Sequence, residues 1–281
     1  MKNLGYYNGK KGPIEQMSVP MTDRAFYFGD GVYDAVMCRN NIPYLLFEHI
    51  ERFFKNCERL AIIPPITKTG LFELIYELVP EVDASEKFVY FHASRGSALR
   101  EHSTPCKKGN LCIMIMPRSV GDLKEKMSAK IVPDNRYSLC DIKTLNLLPN
   151  VLAARDADEV GADEAIFCRE GIITEGSHSN VFIIKGGRLI TAPKSHYILP
   201  GVTREHLIQR AHREGIMVEE REYGENELMS ADEILITSSS KLVRGVKMIN
   251  GKEVGGKAQR LLEFLQNGAL RAYFDATITN A

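Results

Sequence analysis

Between residues 47 and 116 the hydrophobic period of the chain switches from that of a helix to that of a strand, so the chain must pack helices on a sheet. In FEHIERFFKNCERLA (47–61), Ile50, Phe53, Phe54, Cys57 and Leu60 fall at helical spacing with charges opposite, which predicts an amphipathic helix. The Pro64-Pro65 pair breaks it, and Leu71, Phe72, Leu74, Ile75, Leu78 and Val79 predict a second helix that stops at Pro80. KFVYFHAS (87–94) and LCIMIM (111–116) are short, β-rich and bounded by polar or Gly/Pro stretches, as strands of a buried sheet are.

PRSVGDL (117–123) interrupts this pattern and is the natural linker, which divides the chain into residues 1–118, a smaller α/β domain, and 119–281, a larger one. At 281 residues, two compact domains use the whole length. Beyond the linker, strands are predicted at Ala165–Arg169, Asn180–Lys185 and Glu233–Ser238, alternating with helices at about 150–160, 203–214 and 257–275. Lys+Arg and Asp+Glu both total 36, a balance that argues against broad binding to nucleic acid or membrane surfaces. Six cysteines lack CxxC pairs and metal-like spacing, so they read as free thiols and no metal site is expected. The segment MKNLGYYNGKKG has no apolar secretory core, and no run approaches the roughly 18 to 20 apolar residues of a membrane span. A cytoplasmic location is the expectation.

Four segments carry chemistry. In CDIKTLNLLPNVLAARDADEVGADEAIF (140–167), Lys143 lies just before a helix initiated at Pro149. A lone lysine is ordinarily a solvated charge, but Ile142, Leu145, Leu147 and Leu148 suggest partial burial, the condition under which an amine serves as a Schiff-base nucleophile near neutral pH. In GIITEGSHSNVFIIKGGRLIT (171–191), a strand–turn–strand, Glu175 is either a turn carboxylate bonded to backbone N–H groups or the partner of a protonated ring nitrogen. In HYILPGVTREHLIQRAHREG (196–215), a strand and a Pro200-Gly201 turn lead into a helix at Val202-Thr203. That helix start suits a phosphate, although an ordinary N-cap at Thr203 would look the same. ILITSSSK (234–241) ends a strand in three serines, either further hydroxyl donors or a polar loop.

Together these segments resemble, over nearly the whole chain, the fold-type IV family of pyridoxal-phosphate enzymes, which includes branched-chain and D-amino-acid transaminases and aminodeoxychorismate lyase. The resemblance implies two α/β domains with pyridoxal 5′-phosphate in the cleft between them. It implies that the lysine of DIKTLNLL, Lys143, forms the Schiff base and acts as the catalytic base, and that the glutamate of TEGSHSN, Glu175, holds the pyridine nitrogen. It assigns the phosphate to Arg52 of EHIERF, to Val202 and Thr203, and to Ser238 and Ser239. Ser177 and Leu199 fall among the cofactor-binding positions.

RAFYFGDGVYDAV (24–36) and SRGSALREHSTP (94–105) are most similar to the D-amino-acid transaminases. That similarity implies that Tyr33, Arg100 and His102 grip the substrate carboxylate, Arg100 through a bidentate contact. In the family the loop bearing the Arg-x-His pair reaches a neighbouring subunit's site, so a homodimer is implied. His178 departs from the pattern, standing where a small serine is expected near the substrate side chain. His49 either adds to the same polar edge or sits on the helix surface. The implied reaction moves an amino group between a D-amino acid such as D-alanine and a 2-oxo acid, 2-oxoglutarate or pyruvate. The same scaffold also accommodates a lyase, a branched-chain L-transaminase or a non-catalytic binder of the cofactor. A serine hydrolase at Ser238–Ser240 lacks the G-x-S-x-G elbow.

Overall fold

A computed structural model describes residues 1–103 and 106–278, so Thr104 and Pro105 of the 94–105 stretch lie outside the described residues. The chain forms two compact units. One comprises Met1–Ser119, Ile142–Asn146 and Tyr273–Ala281, and the other Val120–Asp141 and Leu147–Ala272. Lys143 and the end of the 257–275 helix therefore belong with the first unit, whereas the sequence reading put both with the second.

The first unit is built on a six-stranded sheet from β1 (Leu4–Tyr7), β2 (Lys10–Gly12), β3 (Gly31–Arg39), β4 (Ile42–Pro43), β5 (Glu86–Ser94) and β6 (Asn110–Pro117), in the order β2-β1-β6-β5-β3-β4. Every pairing is antiparallel. Its helices are α1 (Arg24–Phe28), α2 (Leu46–Arg59) and α3 (Lys68–Leu78). The predicted stripe of α2 is inward: Ile50, Phe53 and Cys57 are buried, with Phe54 and Leu60 packed at the edge. In β5, alternate residues Val89, Phe91 and Ala93 face the same core. Lys87 shares that register and is also buried, its ammonium donating to the Val79 carbonyl at 2.7 Å and to Asn41. Those acceptors replace the water the ammonium has lost.

The second unit carries nine strands: β7 (Met127–Pro133), β8 (Glu164–Arg169), β9 (Ile172–Gly176), β10 (Asn180–Lys185), β11 (Arg188–Thr191), β12 (Val218–Glu220), β13 (Glu233–Ser238), β14 (Leu242–Ile249) and β15 (Lys252–Glu253). Their order is β12-β11-β10-β13-β14-β7-β8-β9, with β15 paired to β14. The sheet is mixed, since β7 pairs in parallel with both β8 and β14, and β11 with β12. Its helices are α4 (Leu148–Asp158), α5 (Val202–Arg213), α6 (Glu225–Met229) and α7 (Gln259–Ala276). Leu207, Ile208 and Ala211 of α5 are buried as the spacing predicts, packing with Phe182, Leu235 and Leu262.

One predicted strand is absent. Residues 196–199 form turns, because side chains take the backbone groups a ladder would need. Arg136 donates to the Tyr197 carbonyl at 3.0 Å, the Leu199 N–H donates to Glu175 at 2.8 Å, and Asn180 donates to the Leu199 carbonyl at 2.9 Å.

Phe91, with no exposed surface and its ring edge-on to Phe53 at 5.1 Å, sits at the centre of the first core. Phe91→Ala is expected to lower unfolding free energy by about 3–5 kcal/mol in a denaturant titration.

Candidate active site

In the first unit, the segment 142–146 lies along the start of β3. The Tyr33 N–H donates to the Lys143 carbonyl at 2.9 Å and the Leu145 N–H to the Gly31 carbonyl at 3.0 Å. Gly31 permits this approach, since a Cβ there would stand 2.6 Å from both the Ala93 carbonyl oxygen and a Leu145 methyl. The pairing brings two residues 110 positions apart together: the Lys143 ammonium donates to the Tyr33 hydroxyl at 3.2 Å and sits 4.3 Å from the ring centroid. Tyr33 itself stacks on Tyr90 at 5.5 Å.

One residue along β3, Asp34 is wholly buried and unites two further residues of the sequence reading. Arg52 donates to both of its carboxylate oxygens, Nε at 2.9 Å and a terminal nitrogen at 2.8 Å, and His49 Nδ1 lies 2.7 Å from Oδ1. His49 is 2% exposed, which excludes the helix-surface alternative. Arg52, off the apolar stripe, is nevertheless half-buried because Asp34 draws it inward. Burial works against the Asp34 charge, but Arg52 and His49 hold the carboxyl well below the usual carboxylate range. For His49 burial dominates and pushes the imidazole down, although Asp34 opposes it. Sequence reasoning missed Asp34. The cue available was an acidic residue inside the apolar run GVYDAVMC.

Arg100 and His102 are exposed and meet on one ring: Arg100 lies 5.1 Å from the Phe28 centroid and the His102 ring 5.2 Å from it. Buried Arg24 holds this loop in place. It donates to the carbonyls of Glu101 at 2.7 Å and His102 at 3.1 Å, and to Asp30 at 2.8 Å.

In the second unit, Glu175 near the end of β9 is buried and held by three donors: Arg136, the Leu199 N–H at 2.8 Å and the Asn180 amide at 3.1 Å. Such a shell favours the ionised carboxylate. Arg136 was also missed, because it lies in an irregular segment with no periodic signal. It is gripped by Asp134, stacks over Phe167 at 4.2 Å and is pushed above the usual guanidinium range, with burial opposed by Asp134 and Glu175.

The N-cap of α5 is Gly201, not Thr203, and it offers no side chain to cap the helix. Val202 and Thr203 thus form its first turn, where the helix dipole and backbone N–H groups favour an anion. A Cβ at the cap would meet the Asn180 amide oxygen at 2.2 Å, so a larger residue would displace the side chain that holds Glu175 and the Leu199 carbonyl. Ser238 ends β13 and accepts from the Lys241 N–H at 3.2 Å, with Ser239 in the turn that follows. Ser177 and His178 lie in the tight turn between β9 and β10, both in contact with buried Glu164.

The profile of the amino-transferase class IV family matches residues 31–249. The chain is 34% identical to a D-alanine aminotransferase of Staphylococcus haemolyticus over 94% of its own length and 95% of the relative's. It is 34% identical to one of Bacillus licheniformis over 90% of each. The fold matches a branched-chain amino acid aminotransferase from Escherichia coli at TM-score 0.87 and 20% identity, covering 100% of this chain and 97% of that one. It also matches a fold IV transaminase of Curtobacterium pusillum at TM-score 0.81 and 20% identity, over 93% of each chain. The protein belongs to the class IV aminotransferases, whose cofactor is pyridoxal 5′-phosphate, and has their fold-type IV architecture.

The residues of each unit suit that cofactor chemically. The second supplies a buried carboxylate held by charge-assisted hydrogen bonds, an uncapped helix terminus and hydroxyls, groups of the kind that suit a ring nitrogen and a phosphate. The first supplies an amine and a guanidinium. No helix among the described residues is long and apolar enough to cross a membrane.

Asp34→Asn removes one member of a buried ion cluster and should destabilise the protein by about 3–5 kcal/mol near neutral pH. The folded Asp34 pKa is depressed, so its stabilising charge is present above the unfolded carboxyl value and lost as pH falls below about 4. The stability gap between wild type and Asp34→Asn should accordingly be flat near neutrality and narrow in acid, as urea titrations across pH would show.

Proposed function

We propose that this chain is a transaminase that exchanges an amino group between a D-amino acid such as D-alanine and a 2-oxo acid, 2-oxoglutarate or pyruvate. The observation that carries the reading is its similarity, along 94% of the chain, to relatives that are D-alanine aminotransferases. Bound pyridoxal 5′-phosphate supplies a carbonyl for the substrate amine and a ring that withdraws electrons from the α-carbon. Lys143 would hold the cofactor through its Nζ, and that amine, once freed by the substrate amine, would take the proton from the substrate α-carbon. Tyr33, whose hydroxyl accepts from that amine, keeps it in place. Glu175 binds the pyridine nitrogen, its charge sustained by Arg136, with Ser177 and Leu199 beside it. Arg52, the α5 terminus at Val202-Thr203, Ser238 and Ser239 hold the phosphate. Because Asp34 occupies Nε and one terminal nitrogen of Arg52, that guanidinium is aimed before any ligand arrives.

Arg100 and His102 receive the substrate carboxylate with Tyr33, while His178 lines the side-chain end and buried His49 braces Asp34. Leu99 and Phe26, 79% and 71% exposed, adjoin that loop and α1 and support burial against a second copy of the chain. A homodimer should elute with twice the 31.6 kDa chain mass in light scattering, and a monomer at micromolar concentration would contradict it. The free cysteines suit a reducing, cytoplasmic compartment.

Lys143→Ala should abolish the cofactor's visible absorbance and lower turnover by about 10²–10⁴-fold or more. Wild-type turnover without the lysine would sink the assignment. A panel of D- and L-amino donors separates this reading from a branched-chain L-transaminase, and pyruvate release without a 2-oxo acid acceptor would instead mark a lyase.

A further inference from the structure

The second unit buries a charge that the mechanism above does not use. Glu164, the first residue of β8, has no exposed side-chain surface. Its Oε1 accepts from the Ser177 hydroxyl and from the Ser177 N–H at 3.1 Å, and its Oε2 from the Ser179 hydroxyl at 2.9 Å and the Lys241 ammonium at 3.2 Å. His178 Nδ1 lies 3.3 Å from Oε1 and 2.9 Å from the Ser177 hydroxyl oxygen. Burial works against the Glu164 charge, but His178 and Lys241 hold the carboxyl below the usual range. The turn bearing these groups is tight, since a Cβ on Gly176 would come within 2.1 Å of the Ser179 hydroxyl oxygen.

The hydroxyl protons fix the state of His178. Ser177 has one proton and gives it to Glu164, so toward His178 its oxygen can only accept. Nδ1 must therefore carry the hydrogen, and Nε2 is the nitrogen at which the ring gains or loses charge. A carboxylate that sets the tautomer and orientation of an imidazole is the arrangement by which a histidine is prepared for one directed contact. His178 has 49% of its side chain exposed, whereas Glu164 is sealed. Lys241 already balances Glu164, so a protonated His178 leaves the cluster with one positive charge in excess. Around a sealed carboxylate such as Glu164 charges are best tolerated when they match, and a carboxylate from a ligand at the exposed His178 edge would complete this cluster.

We propose that His178, oriented by Glu164 through Ser177, is a specificity-determining residue that binds the side-chain carboxylate of a dicarboxylic amino acid or 2-oxo acid. This rests on the transaminase reading and on His178 lying at its substrate side-chain end. Glu164 acts through His178 and is a positioning residue.

The test is a single-turnover assay of the loaded enzyme, following the cofactor absorbance with D-glutamate and with D-alanine as amino donors. The quantity read is the ratio of the two second-order rate constants. His178→Leu should lower the D-glutamate to D-alanine ratio by about ten- to hundredfold, the loss of a charge-assisted hydrogen bond. His178→Gln, which restores an amide donor, should recover part of it, and Glu164→Gln should lower the ratio by a smaller factor. An unchanged ratio in His178→Leu overturns the proposal. A fall there with no change in Glu164→Gln overturns the positioning role. If His178→Leu does not fold, the Gln variants carry the same comparison, and equal ratios in both and in wild type overturn the proposal. Failure of the wild type to react with either donor marks failure of the transaminase reading instead, and the inference falls with it.

Discussion

Two backbone hydrogen bonds decide where the Lys143 amine resides. They run between residues 31–33 and 143–145, and they take five residues out of the second unit's stretch of chain and seat them on β3 of the first. Everything proposed for Lys143 depends on that seating, because β3 also carries Tyr33 and Asp34. One strand thus places the hydroxyl next to the amine and, one residue later on the opposite face, the carboxylate that aims Arg52 and His49.

Both units use a buried carboxylate to hold groups that the sequence keeps far apart. Asp34 gathers residues from β3 and α2, and Glu164 gathers β8, the turn after β9 and the turn after β13. Glu175 has the same construction: its donors are the Arg136 guanidinium and the Leu199 N–H, both outside helices and strands, and the amide of Asn180 at the start of β10. In each case the cost of burying the charge is offset by charge-assisted hydrogen bonds, and the side chains so fixed lose the freedom to occupy other geometries. Preorganisation of this kind suits groups that must meet a cofactor or substrate in one pose.

The parts of the fold written in hydrophobic period were legible in the sequence. The α2 stripe and the buried faces of α3 and α5 follow from spacing, and strands β5, β6, β8, β10 and β13 from short β-rich runs. The assignment to a family came from motifs around Lys143, Glu175, Arg52 and Thr203, and the family match confirms it. Less legible was anything decided by a partner remote in sequence. His49 has the spacing of a helix residue, and only Asp34 explains its burial. The HYIL run has the composition of a strand, but Arg136, Glu175 and Asn180 claim its backbone. Lys143 is flanked on both sides by residues of the second unit, so nothing local reveals that it belongs to the first.

The same holds for the segment beyond residue 272. Tyr273 donates to Glu86 at 3.0 Å, and the Thr277 carbonyl accepts from Asn40 at 3.1 Å and from Arg39 at 3.4 Å. The unit that starts at Met1 is therefore closed by residues that leave the ribosome after the whole of the second unit has been made. During synthesis its sheet and two long helices can assemble early, while the turn at Asn40 waits more than two hundred residues for its acceptor. Such a protein has an N-terminal body that matures last, and a nascent chain halted before residue 273 would expose an unfinished edge to whatever else is in the cell.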